Sequence, residues 1–216
     1  MMMNLFSTFD PCTGTLSLNW LSSIMFMMLM NYNYWMNMNN STIMTMKIIN
    51  TMKSELMAIS NYKKSCLMFL SMGMLILINN MMGLLPYIFT ASSHLVFSLS
   101  LSLPMWLSFF TYGWIKTPNS MFIHMVPLGT PKLLMPFMVL IETISNLIRP
   151  GSLSVRLTAN MIAGHLLMSL LGTNCSMGMT IMFMLIFMTL MLFETAVSMI
   201  QSYVLMVLTT LYSSEV

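Results

Sequence analysis

Residues 180–212 read TIMFMLIFMTLMLFETAVSMIQSYVLMVLTTLY, a run that is apolar except for Glu194 and Gln201. A helix of about 20 apolar residues is enough to cross a hydrocarbon core roughly 30 Å thick. At about 1.5 Å per residue, one helix over the whole run would be roughly 50 Å long. It therefore has to tilt strongly or extend beyond the membrane, and the run predicts a long membrane-spanning helix.

A second long run, residues 133–172, precedes it. This run is interrupted by charged side chains and by Pro150-Gly151, where we expect a bend. The short turn between the two runs makes them a long, tilted C-terminal helical hairpin. Three shorter apolar runs come earlier. The fold expected is all-α, a single polytopic membrane domain over residues 1–216. Its five transmembrane helices are expected at residues 16–36, 66–85, 95–115, 133–172 and 180–212.

The composition agrees with a membrane location. Only 6% of the residues are charged and 57% are hydrophobic, whereas soluble domains carry roughly 25% charged residues. This excludes a soluble enzyme, a disordered tail and a free nucleic-acid-binding domain. The 8 basic and 5 acidic residues are too few for a surface that tracks nucleic-acid phosphates, so we expect the lipid bilayer and no nucleic acid as a partner.

Methionine is unusually frequent, at 33 residues, and packing gives no reason for the excess because Met normally fills occasional gaps. The bias resembles chains encoded in animal mitochondria, whose genetic code has more Met codons; drift in an AT-rich genome is the alternative. The N-terminus lacks the features of a signal or transit peptide, as expected for synthesis inside the organelle. Isolated cysteines at 12, 66 and 175 suggest neither a disulfide framework nor a metal site.

Residues 41–65, between the first two runs, contain several lysines and apolar residues at three- and four-residue steps. This pattern predicts an amphipathic helix on the membrane surface. Lys116 and Lys132 flank the loop between the third and fourth runs, which lies on the same side. The positive-inside rule makes that side the matrix or cytoplasm, with the N-terminus opposite and the C-terminus inside.

Arg156 stands among apolar residues of the fourth run. Its guanidinium keeps its proton because the pKa of Arg stays above about 12, and a charge near the bilayer centre is costly. A fixed cation there needs an anion, water or a cavity. Glu142 and Glu194 are the carboxylates of the hairpin, and the anion could also belong to another protein.

Helix geometry sorts the polar residues, because successive residues are about 100° apart around a helix. Glu142, Arg149 and Arg156 are seven apart and share one stripe, provided that the proline leaves the helical phase intact. Asn160, four residues beyond Arg156, stays on that side. His165 lies about 180° away from Arg156 on an ideal helix.

Two groups of protonatable residues result. Glu142 lies toward the inner end of its helix, and His165 lies toward the outer end, where Glu194 could join it. Glu194 and Gln201 are seven apart and share a face of the last helix. Arg156 separates the two groups. A proton could thus reach the mid-membrane from either side while the permanent cation opposes its direct passage, which predicts two half-paths with an electrostatic block between them.

Structural explanations for the same residues stay open. Arg156 and Glu194 could form a structural ion pair, His165 could bond a backbone carbonyl in the core, and Glu142 could be interfacial. Arg149 is expected to be interfacial or snorkelling. Asn160 and Gln201 could form interhelical hydrogen bonds. His94 and His124 are expected to lie in solvated loops.

Four segments resemble one known family. Residues 154–167, SVRLTANMIAGHLL, resemble the signature of the subunit a family of F-type ATP synthases. Residues 141–151, IETISNLIRPG, resemble its arthropod mitochondrial members. So do residues 3–11, MNLFSTFDP, and residues 194–204, ETAVSMIQSYV. The resemblance runs the length of the chain, including the five spans and a matrix-side surface helix.

The resemblance implies a non-catalytic stator subunit in the mitochondrial inner membrane, beside a rotating ring of c subunits and with other Fo and peripheral-stalk subunits as partners. It implies no cofactor and no metal. Protons from the intermembrane space enter one half-channel and neutralise a ring carboxylate. After nearly a full turn the carboxylate releases its proton through a second half-channel to the matrix. Proton flow is thereby coupled to ATP synthesis.

By resemblance, Arg156 attracts the deprotonated ring carboxylate and prevents a proton short-circuit. His165 and Glu194 match positions of the intermembrane-space half-channel, and Glu142 matches a matrix half-channel position. Bacterial members carry Glu at the position of His165 and His at the position of Glu194, which fits a shared proton relay. Asn160 and Gln201 match polar positions of the family that lie close to the arginine and belong to the proton-translocation site.

Two other functions compete with this one. A membrane redox subunit would need histidine pairs at ligand spacing on facing helices, whereas His94, His124 and His165 are 30 and 41 residues apart. A self-contained proton-coupled transporter would usually have internal repeats and broken helices at a central site. The sequence has no convincing repeat.

Overall fold

The structure, a computed structural model, describes residues 5–12, 16–24, 37–60, 65–85, 87–126, 129–173 and 180–215. Within these ranges the regular structure is helical throughout, as the sequence predicts. The α-helices there are α1 (Asn40–Ile59), α2 (Ser65–Gly83), α3 (Leu95–Lys116), α4 (Pro118–His124), α5 (Met135–Thr173) and α6 (Thr180–Glu215). Short 3-10 helices accompany them at Leu5–Phe9, Leu18–Ile24 and Ala91–Ser93.

Four of the described helices, α2, α3, α5 and α6, are long and apolar enough to cross a membrane. They coincide with the last four predicted spans, so the protein is an all-α, multi-pass membrane protein. The predicted first span, 16–36, differs where it can be compared, because Leu18–Ile24 is a 3-10 helix and not an α-helix. Residues 25–36 lie outside the described residues, and the count of five spans stays a prediction.

Helix α5 passes through Pro150 without interruption, although a proline inside a helix removes one backbone hydrogen bond. Oγ of Ser102 on α3 donates a hydrogen bond to the carbonyl of Pro150 at 3.4 Å, which joins the two helices at this point. The helical phase therefore continues from Glu142 to His165, as the assignment of helix faces requires. With 39 and 36 residues, α5 and α6 are about 58 and 54 Å long, longer than a hydrocarbon core of roughly 30 Å.

The hairpin helices pack against the two shorter spans: α6 lies against α2 and α5, and α5 lies against α3. Aliphatic side chains from three of these helices form the buried core, namely Ile76, Leu153, Leu157 and Leu205. Helices α2 and α6 approach closely at Gly73, where an added Cβ would overlap the side chain of Met206. Tight contacts at small residues are the usual way in which membrane helices associate, because lipid tails are as apolar as leucine.

Small hydroxyl side chains occupy much of the remaining helix contact. Ser154, Ser202 and Thr209 are buried, and each hydroxyl donates a hydrogen bond to a carbonyl of its own helix at 2.7–2.9 Å. These bonds satisfy the hydroxyls without a partner on the neighbouring helix. Large apolar side chains cover the outer surface, as contact with lipid requires.

The helix predicted over 41–65 corresponds to α1, which ends at Ile59; residues 61–64 lie outside the described residues, and the position of this helix on the membrane surface stays a prediction. Its Leu56 is buried with Cys66 and Met206. The hydroxyl of Tyr203 on α6 lies close to the carboxylate of Glu55. Helix α1 is thus attached along one face to α2 and α6, while Met44 and other apolar residues stay exposed.

Candidate functional site

Glu194 of α6 is buried directly against the backbone of α5. Its carboxylate occupies the space beside Gly164, where an added Cβ would overlap it. The side chain is only 8% exposed, and neither carboxylate oxygen has a hydrogen-bond partner among the described residues. Burying an unpaired carboxyl group is costly, so a residue kept in this position is a candidate for function.

His165 follows Gly164 on α5, so it lies next to the residue that contacts Glu194. Its Nε2 is buried and has no hydrogen-bond partner among the described residues. The ring of Phe9, from the N-terminal 3-10 helix, meets the imidazole edge-on with 6.2 Å between the centroids. The structure thus brings His165 and Glu194 to the same part of the hairpin.

A cavity of about 700 Å³ opens beside His165, at the end of the hairpin where α5 ends and α6 begins. We call it the turn-end cavity. The N-terminal segment contributes Phe9, Asp10 and Cys12 to its lining, and α5 contributes His165 and Ser169. The carboxylate of Asp10 accepts a hydrogen bond from the backbone N–H of Cys12 at 3.1 Å. A carboxylate and an imidazole therefore line one opening.

A second cavity, of about 220 Å³, lies near the start of α5 and the end of α6. We call it the open-end cavity. Glu142 and Arg149 line it and form an ion pair, with 3.5 Å between the carboxylate and guanidinium atoms. The guanidinium also stacks on the ring of Tyr212 from α6, 5.2 Å from its centroid. The seven-residue spacing of the pair predicts this shared face, but the sequence interpretation did not include Tyr212.

Arg156 lies between the two cavities along α5 and is exposed. At about 1.5 Å per residue, it is roughly 21 Å from Glu142 and 14 Å from His165 along the helix axis. Neighbouring residues on its face are exposed too: Val155 at 52%, with the small residues Ala159 and Ala163. Within the described ranges the arginine forms no ion pair with Glu194. The structural-pair explanation is therefore wrong for this chain.

Asn160 and Gln201 are half-buried on α5 and α6. Asn160 is one helical turn beyond Arg156. No side-chain hydrogen bond joins either amide to another described residue. Within the described residues, neither side chain therefore forms the interhelical hydrogen bond that was considered as a structural explanation. The arrangement as a whole has two separated groups of titratable side chains and one exposed cation between them.

The sequence model of the family described as "ATP synthase A chain" matches residues 13–214. The chain is also 52% identical to ATP synthase subunit a of Anopheles gambiae, 53% identical to that of Drosophila melanogaster and 51% identical to that of Locusta migratoria. Each alignment covers 100% of both chains. The chain belongs to the ATP synthase A chain family.

Sequence reasoning missed two features of the turn-end cavity. It did not place the N-terminal segment against His165. It also assigned His94 to a solvated loop, which is wrong, because Nε2 of His94 lies 2.9 Å from the carbonyl oxygen of Phe9. His124, by contrast, is exposed as expected, although it is the last residue of helix α4 and does not lie in a loop.

A third missed feature of this family member lies on α2, where Asn79 and Asn80 are buried. Asn80 is fully buried, and both of its side-chain amide atoms lack a hydrogen-bond partner among the described residues. A polar pair inside an apolar span was a visible signal, because such residues in membrane helices face the bundle interior. Neither asparagine lines the turn-end or the open-end cavity.

Proposed function

We propose that the chain is the proton-translocating stator subunit of the membrane sector of a mitochondrial ATP synthase. The observation that carries this proposal is the exposed Arg156 on an apolar face, between two separate groups of titratable side chains. The subunit is not itself an enzyme, and ATP chemistry belongs to other subunits. Its partners are the c-subunit ring, further Fo and peripheral-stalk subunits, and the bilayer.

The first half-path leads from the intermembrane space through the turn-end cavity. Water in the cavity carries protons past Asp10 to His165, and Glu194 takes part in their transfer toward the ring. Burial of Glu194 and of Nε2 of His165 without partners supports this role, because both groups keep a free site for a proton. A satisfied structural histidine would have used that nitrogen in a hydrogen bond.

The second half-path leads from the ring to the matrix through the open-end cavity. Glu142 receives protons there and passes them to water. Its place in the lining of that cavity supports this role, and the ion pair with Arg149 holds its carboxylate there. Both partners are partly exposed, at 38% for Glu142 and 30% for Arg149, so matrix water reaches them.

Arg156 separates the half-paths and faces the ring. A ring carboxylate about 4 Å from the guanidinium would be attracted by roughly 4 kcal/mol at an effective dielectric constant near 20. This attraction holds the deprotonated carboxylate at the stator until the next proton arrives. The exposed small residues Ala159 and Ala163 let a ring helix approach closely, and Asn160 and Gln201 supply polar groups beside this contact.

The orientation that follows has the N-terminus in the intermembrane space and the C-terminus in the matrix. The positive-inside rule supports it, because Lys116 and Lys132 lie on the side of the open-end cavity. It also makes α1 a matrix-side surface helix.

The test is ATP-driven acidification of vesicles that carry the assembled complex, with the intact chain compared with Arg156→Ala. Lys116→Ala, which removes an exposed cation outside both cavities, serves as the matched control. We expect an assembled Arg156→Ala complex to lose acidification and the control to keep it. Normal acidification by Arg156→Ala would refute the proposal, and proton conduction by the isolated chain would favour a self-contained transporter.

A further inference from the structure

His94, at the start of α3, holds the N-terminal segment by several contacts at once. Its Nε2 lies 2.9 Å from the carbonyl oxygen of Phe9. Because a carbonyl oxygen can only accept, Nε2 carries the hydrogen and donates it. The imidazole also stacks on Phe89 at 5.3 Å and contacts Trp20 at 5.2 Å between centroids. Ser22 donates a further hydrogen bond to the carbonyl of Phe89 at 3.3 Å.

This anchor lies at the point where the N-terminal segment covers His165. The carbonyl that His94 binds belongs to Phe9, the last residue of the 3-10 helix Leu5–Phe9. The ring of Phe9 is the one that meets His165 edge-on, and the next residue, Asp10, lines the turn-end cavity. The bond from His94 therefore helps to hold both the ring that contacts His165 and the carboxylate beside the opening, and the side-chain amide of Asn19 adds a hydrogen bond to the carbonyl of Asp10 at 3.4 Å.

The segment is short and lies at the surface of the bundle, so individual side-chain contacts matter for its position. The 3-10 helix has only five residues, and short 3-10 helices have poor hydrogen-bond geometry. Phe6 on the same helix is 68% exposed, so this aromatic side chain contributes little burial to holding the segment. Among the contacts that position it, the bond from His94 joins residues 85 apart in sequence.

We infer that His94 is a positioning residue that holds residues 5–10 against α5, so that they form one wall of the turn-end cavity beside His165. This inference rests on the proposed function only for its effect on proton uptake. With the anchor removed, the segment would leave His165 and the lining of the cavity more open to water, and Asp10 would lose its fixed place at the opening.

The first test measures access to the cavity without any proton flow. Ser169 lines the cavity, and Ser169→Cys provides a nearly isosteric thiol there. Labelling with a membrane-impermeant maleimide is followed in the assembled complex, with Cys12→Ser and Cys175→Ser in the background. Cys12 is exposed, and although hydrogen bonding and charge from Asp10 raise the pKa of its thiol, it would still add background label. Cys66 is buried.

Two substitutions of His94 separate anchoring from general packing. His94→Phe keeps a ring for stacking on Phe89 and removes the donor, whereas His94→Gln restores an N–H near the position of Nε2. We expect His94→Phe to raise the labelling rate about tenfold, because the loss of one hydrogen bond makes local opening of the segment correspondingly more frequent. His94→Gln should return it toward the rate with His94 intact. Ser100→Ala, at an exposed hydroxyl of the same helix, should leave it unchanged.

The second test is ATP-driven acidification by the same complexes, which should be slower with His94→Phe than with His94→Gln. An unchanged labelling rate in an assembled His94→Phe complex would overturn the inference, whatever the rate of acidification. A raised rate that His94→Gln does not lower would also overturn it, because the donor would then not be the cause. Failure of the proposed function would instead appear as normal acidification by Arg156→Ala, and it would leave the labelling result untouched.

Discussion

Gly164→Ala is expected to disturb the pairing of α5 with Glu194 more than any other glycine substitution in α5. A Cβ at residue 164 would overlap the carboxylate of Glu194, whereas a Cβ at Gly151 or Gly172 meets nothing within 4 Å. The overlapping atoms are at the end of a side chain that can rotate, so the carboxylate should move while the helices stay in place. Moving it takes Glu194 away from the residue that precedes His165.

The size of the effect follows from the cost of overpacking, which is about 1–3 kcal/mol. If this cost falls entirely on the proton-transfer step, the rate falls between roughly fivefold and 150-fold, since about 1.4 kcal/mol corresponds to a factor of ten. The assay is ATP-driven acidification of vesicles with equal amounts of assembled complex. Gly172→Ala, on the same helix, is the matched control and should acidify at the normal rate.

Two results would refute this reasoning about Gly164. Equal rates for Gly164→Ala and Gly172→Ala would mean that the position of the Glu194 carboxylate does not matter for proton transfer. Loss of assembly in Gly164→Ala alone would mean that the overlap separates the helices and does not simply move one side chain.

Three further predictions concern single side chains. Glu194→Gln should slow acidification more than Glu142→Gln. Glu194 is 8% exposed, whereas Glu142 is 38% exposed, so water can take over the proton transfer of Glu142 but not that of Glu194. Comparable rates in assembled complexes would count against the assignment of the half-paths. Arg149→Gln should slow acidification by no more than about fivefold, since partly exposed ion pairs contribute about 0.2–1 kcal/mol, and complete loss would make this arginine essential. Gly73→Ala should lower the thermal stability of the complex through its overlap with Met206, at a cost of about 1–3 kcal/mol; unchanged melting would show that the flexible methionine repacks freely.

The spans of the hairpin could be predicted from sequence because apolar length is a local property. The run 180–212 needed no knowledge of its neighbours, and α6 follows it closely. The polar residues of the hairpin were equally visible, since a charge such as Arg156 in an apolar run is costly wherever the helix packs. Helix periodicity also anticipated that Glu142 and Arg149 share a face, and the ion pair between them confirms it.

The contacts around His165 could not be predicted in the same way. Phe9 lies far from His165 in sequence and has no periodic pattern that indicates its partner. His94 looked like a loop residue because nothing near it in sequence shows that a distant carbonyl lies within reach. The role of Gly164 depends on which α6 side chain faces it, and that depends on the register between two helices. Such features follow from tertiary packing, which a local pattern does not determine.

The central claim is that Arg156 blocks direct proton passage between two half-paths. Passive proton flow through the membrane sector, driven by an imposed gradient with ATP hydrolysis inhibited, tests it most directly. In an assembled Arg156→Ala complex we expect passive flow above that of the intact chain, together with loss of ATP-driven acidification. Passive flow equal to that of the intact chain, with acidification preserved, would contradict the claim.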